Sequence, residues 1–82
     1  MSEHPRGLRM LICADRQEAE WYRDDSSLYV VCATEHPLKE GMRISSVAVT
    51  PEAFRIGNPH IIGEHIQVAQ RSMLMFHTQE RS

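Results

Sequence analysis

Met10-Leu11-Ile12-Cys13-Ala14 is an uninterrupted apolar run that Asp15 closes abruptly. A strand with one face in water alternates apolar and polar residues, whereas a strand covered on both faces need not. The run is too short for a helix. It predicts a strand of about residues 8–14, at the centre of a small sheet with cover on both faces. The rest of the chain must then supply neighbouring strands and covering helices.

The first cover follows at once. Asp15-Arg16-Gln17-Glu18 is the D-x-x-E form of a capping box, in which the Asp15 carboxylate accepts from the Glu18 backbone N–H. A helix of about residues 16–24 is expected, with Ala19 and Tyr22 on one face and Trp21 at its edge. Asp24 and Asp25 end it, because acids oppose the dipole at a helix C-terminus. Leu28-Tyr29-Val30-Val31-Cys32-Ala33 is the clearest strand, apolar throughout and rich in residues that favour strands. Strand, helix and strand in this order form a βαβ unit, with parallel strands and a right-handed crossover.

Thr34 to Gly41 is a second connection, with room for a single helical turn between Pro37 and Gly41. Residues 42–49 read as the third strand, with Val47-Ala48-Val49 its buried part and Ser45 and Ser46 marking an edge. Thr50-Pro51-Glu52 is a strong helix start, and Gly57 a stop. Asn58-Pro59 repeats the start. Ile62, Ile66, Ala69, Met73 and Phe76 then recur at helical spacing, which predicts an amphipathic helix of about residues 59–76. Ile61, Val68 and Met75 form a second apolar line beside the first.

The expected fold is therefore α/β. It is a minimal Rossmann-like half, with a three-stranded parallel sheet of order 2-1-3, the first helix on one face and the C-terminal helix on the other. Residues 1–7 read as a flexible leader, 8–76 as one domain and 77–82 as a polar tail. The expected core is Leu11, Ile12, Cys13, Ala14, Tyr22, Val30, Val31, Val47, Val49, Ile62, Ile66, Ala69 and Met73. A chain of 82 residues buries only ~60–65 % of its unfolded surface. Burial against a partner is a natural supplement to so thin a core.

Composition narrows the function. The formal net charge of −2 argues against non-specific nucleic-acid binding, which needs a basic face. Such binding would require Arg6, Arg9, Arg16, Arg23, Arg43, Arg55 and Arg71 to gather on one side. No apolar run approaches a membrane span, and the first residues lack the apolar core of a signal peptide. A cytoplasmic location is expected. Cys13 and Cys32 sit inside apolar runs, as reduced buried thiols do.

In a parallel sheet, functional groups collect at the carboxyl ends of the strands. Here those ends carry Asp15, then Thr34, Glu35 and His36, then Thr50 and Glu52. A small enzyme or ligand binder would use Asp15, Glu35 and His36. The competing reading assigns Asp15 and Thr50 to helix caps and His36-Pro37 to a turn. A phosphate loop is missing: Gly7, Gly41, Gly57 and Gly63 all lie away from the end of the first strand, where carboxylates stand instead. His60, Glu64 and His65 have the spacing H-x-x-x-E-H, which is not that of a helical zinc motif, and no metal or other cofactor is expected.

The succession of the Asp15-Arg16-Gln17-Glu18-Ala19-Glu20 helix start, the Val30-Val31-Cys32 strand, the Pro37-to-Arg43 connector and Val47-Ala48-Val49-Thr50-Pro51-Glu52-Ala53 resembles small uncharacterised phage-type α/β accessory proteins. These are similar to a P-loop-like sheet fragment without its phosphate loop. The resemblance spans about residues 8–76 and implies a non-enzymatic protein that acts by docking on a partner, a host protein being one example. The expected function is accordingly a protein-binding module, as a homodimer or on another protein. Ile61, Val68, Met75 and Trp21 are its candidate contact residues, and an enzyme or ligand site at the strand ends is the alternative.

Overall fold

The computed structural model describes residues 7–37 and 43–81, with side chains as far as residue 75. Three parallel strands form one sheet: β1 (Leu8–Cys13), β2 (Leu28–Cys32) and β3 (Ile44–Val49), in the order β2-β1-β3. The apolar run at the start of the chain is thus central, as expected. Helices α1 (Arg16–Ala19), α2 (Pro51–Ile56) and α3 (Pro59–Arg81) complete the architecture. The expected turn at Pro37–Gly41 falls largely on residues 38–42, outside those described.

The sheet register explains the two-sided pattern of burial. Met10 stands beside Tyr29 and Val47, and Ile12 beside Val31 and Val49. Met10 and Ile12 form the buried core with Ala14, Ala33, Ile44, Ala53, Ile62 and Ala69, and Tyr29, Val31, Val47, Val49, Ile66 and Met73 pack against it half-buried. This is the face α3 covers. Leu11 alternates to the opposite face, where it stands beside Val30 and Ala48, and all three are only half-buried. Parallel βαβ crossovers are right-handed as a rule, which directs α1 to this side, and α1 is one turn long, continued by a 3-10 turn at Glu20–Tyr22. Both faces are covered, as expected, the α3 face well and the α1 face more thinly. Tyr22, expected in the core, is half-buried for the same reason.

α1 stops short of the expected residue 24 because the next residues are held in turns. Asp25 N–H donates to the Tyr22 carbonyl, Leu28 N–H to the Asp25 carbonyl, and the Ser27 N–H and hydroxyl to the Asp25 carboxylate. These last two bonds hold the Asp25 carboxyl below its ordinary range. α2 ends at Gly57 as expected. A Cβ there would stand 2.5 Å from the Ala53 carbonyl oxygen and 3.0 Å from the Ala33 Cβ.

α3 runs to Arg81, through residues expected as a tail, since no Gly or Pro interrupts it after Gly63. At 1.5 Å per residue its 23 residues span roughly 35 Å, against roughly 20 Å for the six-residue β1. Its C-terminal part therefore extends past the sheet. Leu74 and Met75 are 69 % and 64 % exposed. Across the sheet α3 packs mainly on β3 and less on β1. In larger folds of this strand order, a helix connecting β2 to β3 would lie beside it, over β2.

Candidate functional site

At the carboxyl ends of the strands the polar side chains are close together, and they hold the chain. The Asp15 carboxylate accepts from Glu18 N–H at 3.0 Å, the first half of the expected capping box. The Glu18 side chain departs from that motif. Its Oε1 accepts from Ala14 N–H at 2.8 Å and from the Thr50 hydroxyl at 2.9 Å. The Thr50 Oγ1 in turn accepts from Ala53 N–H at 3.1 Å, capping α2. A buried carboxylate and a buried hydroxyl thereby tie the starts of α1 and α2 to the end of β1. Sequence reading assigned Glu18 to local capping alone. Its cross-chain bond to Thr50 depends on β1 and β3 being neighbours, which no local motif reports.

The other expected rim residues are paired on the surface. Glu35 Oε2 lies 2.6 Å from Arg16 Nε, with Arg16 well exposed. His36 Nδ1 lies 2.6 Å from Glu64 Oε1 on α3. Asp15, Glu35 and His36 thus engage separate partners: a cap, an arginine and a helix. His65 is 3 % exposed, and its Nε2 lies 3.0 Å from the Cys32 carbonyl and 2.7 Å from the Glu35 carbonyl. Both neighbours are acceptors, so Nε2 carries the proton and donates to both. His65 pins the end of β2 and its following turn to α3. His60 is exposed, and among the described residues no group of three or more His, Cys, Asp or Glu side chains could hold a metal ion.

Cys13 and Cys32 are register neighbours on β1 and β2, and both are free thiols. Burial, and secondarily the Glu18 carboxylate, pushes the Cys13 thiol up to about 11, and burial also raises Cys32. Thiols held protonated are poor nucleophiles.

A cleft of about 180 Å³ lies along β2, on the α3 side. Tyr29, Val31 and Val68 form apolar walls, and His36, Pro37 and His65 close one end. Val30 and Cys32 also line it, although their side chains belong to the opposite face, so they reach it through main-chain atoms at the sheet edge. The cleft sits over the strand that α3 leaves least covered.

The candidate contact residues separate. Val68 lines this cleft, Met75 lies on the overhang of α3, and Trp21 is 76 % exposed beside α1. Ile61 is buried in the monomer at 8 % exposure and presents no free surface. Phe54 and Ile56 on α2 are exposed apolar residues that sequence reading did not single out. Arg16, Arg23 and Arg55 each face a carboxylate, on Glu35, Glu20 and Glu52. No helix among the described residues is long and apolar enough to cross a membrane.

Compared with known protein families, characterised proteins and solved structures, the chain matches none.

Proposed function

We propose that this chain is a non-enzymatic protein-binding module whose contact surface is the cleft along β2. The observation that carries this reading is the contrast between the strand-end rim and the cleft. At the rim, Asp15, Glu18 and Thr50 are engaged in capping and cross-chain bonds, and Glu35 and His36 are paired. A catalytic constellation needs an acid, base or nucleophile facing a common point where a substrate atom can sit. The cleft instead offers apolar side chains beside an edge strand that no other strand among the described residues pairs with, which is the chemistry of a protein contact. The resemblance to phage-type accessory proteins fits a chain that acts by docking on a protein rather than by catalysis.

The test is capture from the native cell, comparing the wild-type chain with Val68→Glu. Val68 is half-buried in the cleft wall, so a carboxylate there opposes an apolar contact while leaving the α3–β3 packing in place. A protein retained in stoichiometric amount by the wild type and lost from the folded variant supports the reading. Retention of the same proteins by both overturns it.

A further inference from the structure

We infer that the partner seated on β2 is a second copy of this chain, joined by antiparallel pairing of the two β2 strands about a two-fold axis through Val30. This rests on the docking reading above and names its occupant.

The hydrogen bonds already formed show which way β2 faces. Ala33 N–H donates to the Cys13 carbonyl, and the Ser27 carbonyl accepts from Arg9 N–H. In a strand, the N–H and C=O of one residue point to the same side, and successive residues alternate. Ser27, Tyr29, Val31 and Ala33 therefore bond towards β1. Leu28, Val30 and Cys32 turn their main-chain groups outwards, to an edge that no other strand among the described residues pairs with. Some of those groups have partners within the chain. Leu28 N–H donates to the Asp25 carbonyl, and the Cys32 carbonyl accepts from Glu35 N–H and His65. Among the described residues no turn or cap bond engages the Val30 N–H, the Val30 carbonyl, the Cys32 N–H or the Leu28 carbonyl.

That remainder is self-complementary. In an antiparallel pair centred on Val30, Val30 exchanges N–H···O bonds with the partner's Val30. Cys32 N–H meets the carbonyl of the partner's Leu28, and the reverse bond forms by symmetry. The groups already engaged, Leu28 N–H and the Cys32 carbonyl, are the ones such a pair would otherwise place opposite each other. One arrangement thus satisfies the free groups and asks nothing of the occupied ones. Side chains agree with it. On the α3 face Tyr29 stands opposite the partner's Val31, extending the apolar layer from one cleft to the other. On the opposite face Val30 meets its own copy.

β2 also lacks the usual protection of an edge. Its five residues, Leu-Tyr-Val-Val-Cys, include no charge, no proline and no bulge. The other edge strand differs. β3 has an irregular register against β1 between Leu8 and Arg9, carries Ser45 and Ser46, and is the strand α3 packs on most closely. An isologous contact needs one patch that fits itself, and an uncharged strand places no like charges across the dyad.

The experiment is sedimentation equilibrium of the whole chain from about 10 μM to about 1 mM, with Val30→Pro and Val30→Lys as variants. The outward N–H makes Val30 an edge position where proline removes no bond to β1. Val30→Lys sets two cations together on the axis and keeps the backbone intact should the proline variant not fold. Self-association is expected for the wild type, weakened at least ~10-fold in each folded variant. A strict monomer throughout that range overturns the inference, as does a dimer of unchanged affinity in the folded variants. A monomer whose stoichiometric capture of another protein is still lost on Val68→Glu would overturn self-pairing alone and leave the docking reading standing.

Discussion

Replacing Glu18 with alanine is the sharpest perturbation of the fold. One carboxylate oxygen accepts from both Ala14 N–H and the Thr50 hydroxyl, and Ala14 and Thr50 are 2 % and 5 % exposed. The truncation leaves two donors without a partner in a site with little access to water. An orphaned buried polar group costs about 1–3 kcal/mol. Partial relief by relaxation or an entering water brings the expected total to about 3 kcal/mol. A domain of this size has roughly 4–12 kcal/mol in all, so the loss is severe, a fall in Tm of roughly 12–24 °C. Glu18→Gln should behave differently. Its single amide oxygen can still accept both bonds, and only the charge assistance is lost, about 1 kcal/mol. The assay is urea unfolding followed by circular dichroism on the wild type, both Glu18 variants, Thr50→Val and the Glu18→Ala/Thr50→Val pair. The double variant should cost less than the sum of the singles, with a coupling of about 1 kcal/mol or more. Equal losses for Glu18→Gln and Glu18→Ala, or a loss under about 0.5 kcal/mol for the alanine, would refute the idea that this oxygen joins the three element ends.

Gly63→Ala should stabilise by about 0.4–1 kcal/mol, because the residue lies inside α3 with open space where a Cβ would stand; thermal unfolding reads it directly. His65→Leu removes the donor shared by the Cys32 and Glu35 carbonyls and should cost about 1–2 kcal/mol, with the largest rise in amide exchange at residues 32–36. The thiols supply a pH prediction. Cys13 is raised from an ordinary value of 9.0 to about 11, so the folded state keeps a proton that the unfolded state releases first. Its contribution to stability is fully present below pH 9 and is lost as pH rises towards 11, which denaturant midpoints across that range should show. At pH 8 Cys13, fully buried and held protonated, should react with a disulfide reagent at least ~10-fold more slowly in the folded chain than in urea.

Sequence patterning revealed most of the architecture, since its strongest signals were local and physical. The continuous apolar runs became β1 and β2, Thr50-Pro51 and Gly57 bounded α2, and the spacing of Ile62, Ile66, Ala69 and Met73 laid α3 on the sheet. What stayed hidden depends on contacts between segments. Met10, Ile44, Ala33 and Ala53 are buried because the sheet register stacks them under α3. Ile61 looked like part of a separate stripe, yet the start of α3 lies close enough to the core to bury it. Leu11 and Val30 looked like core and are half-exposed, because α1 is too short to cover them. The strand-end residues were rightly located but their employment was not visible. Glu18 reaches Thr50 and His65 reaches two carbonyls only once the strand order is in place. The cleft along β2 has the same origin, for it reflects the way α3 lies nearer β3 than β2.

The most direct test of the account is a residue-resolved ¹H–¹⁵N spectrum of the isotopically labelled chain followed as its concentration rises. The pairing of two β2 strands predicts shifts confined to Val30, Cys32 and the cleft residues Tyr29, Val31 and Val68. The amides of Val30 and Cys32 should gain exchange protection, while those of Tyr29 and Val31, already bonded to β1, keep theirs unchanged. Shifts centred on Asp15, Glu18 and Thr50, or a spectrum unaltered at every concentration, would contradict it.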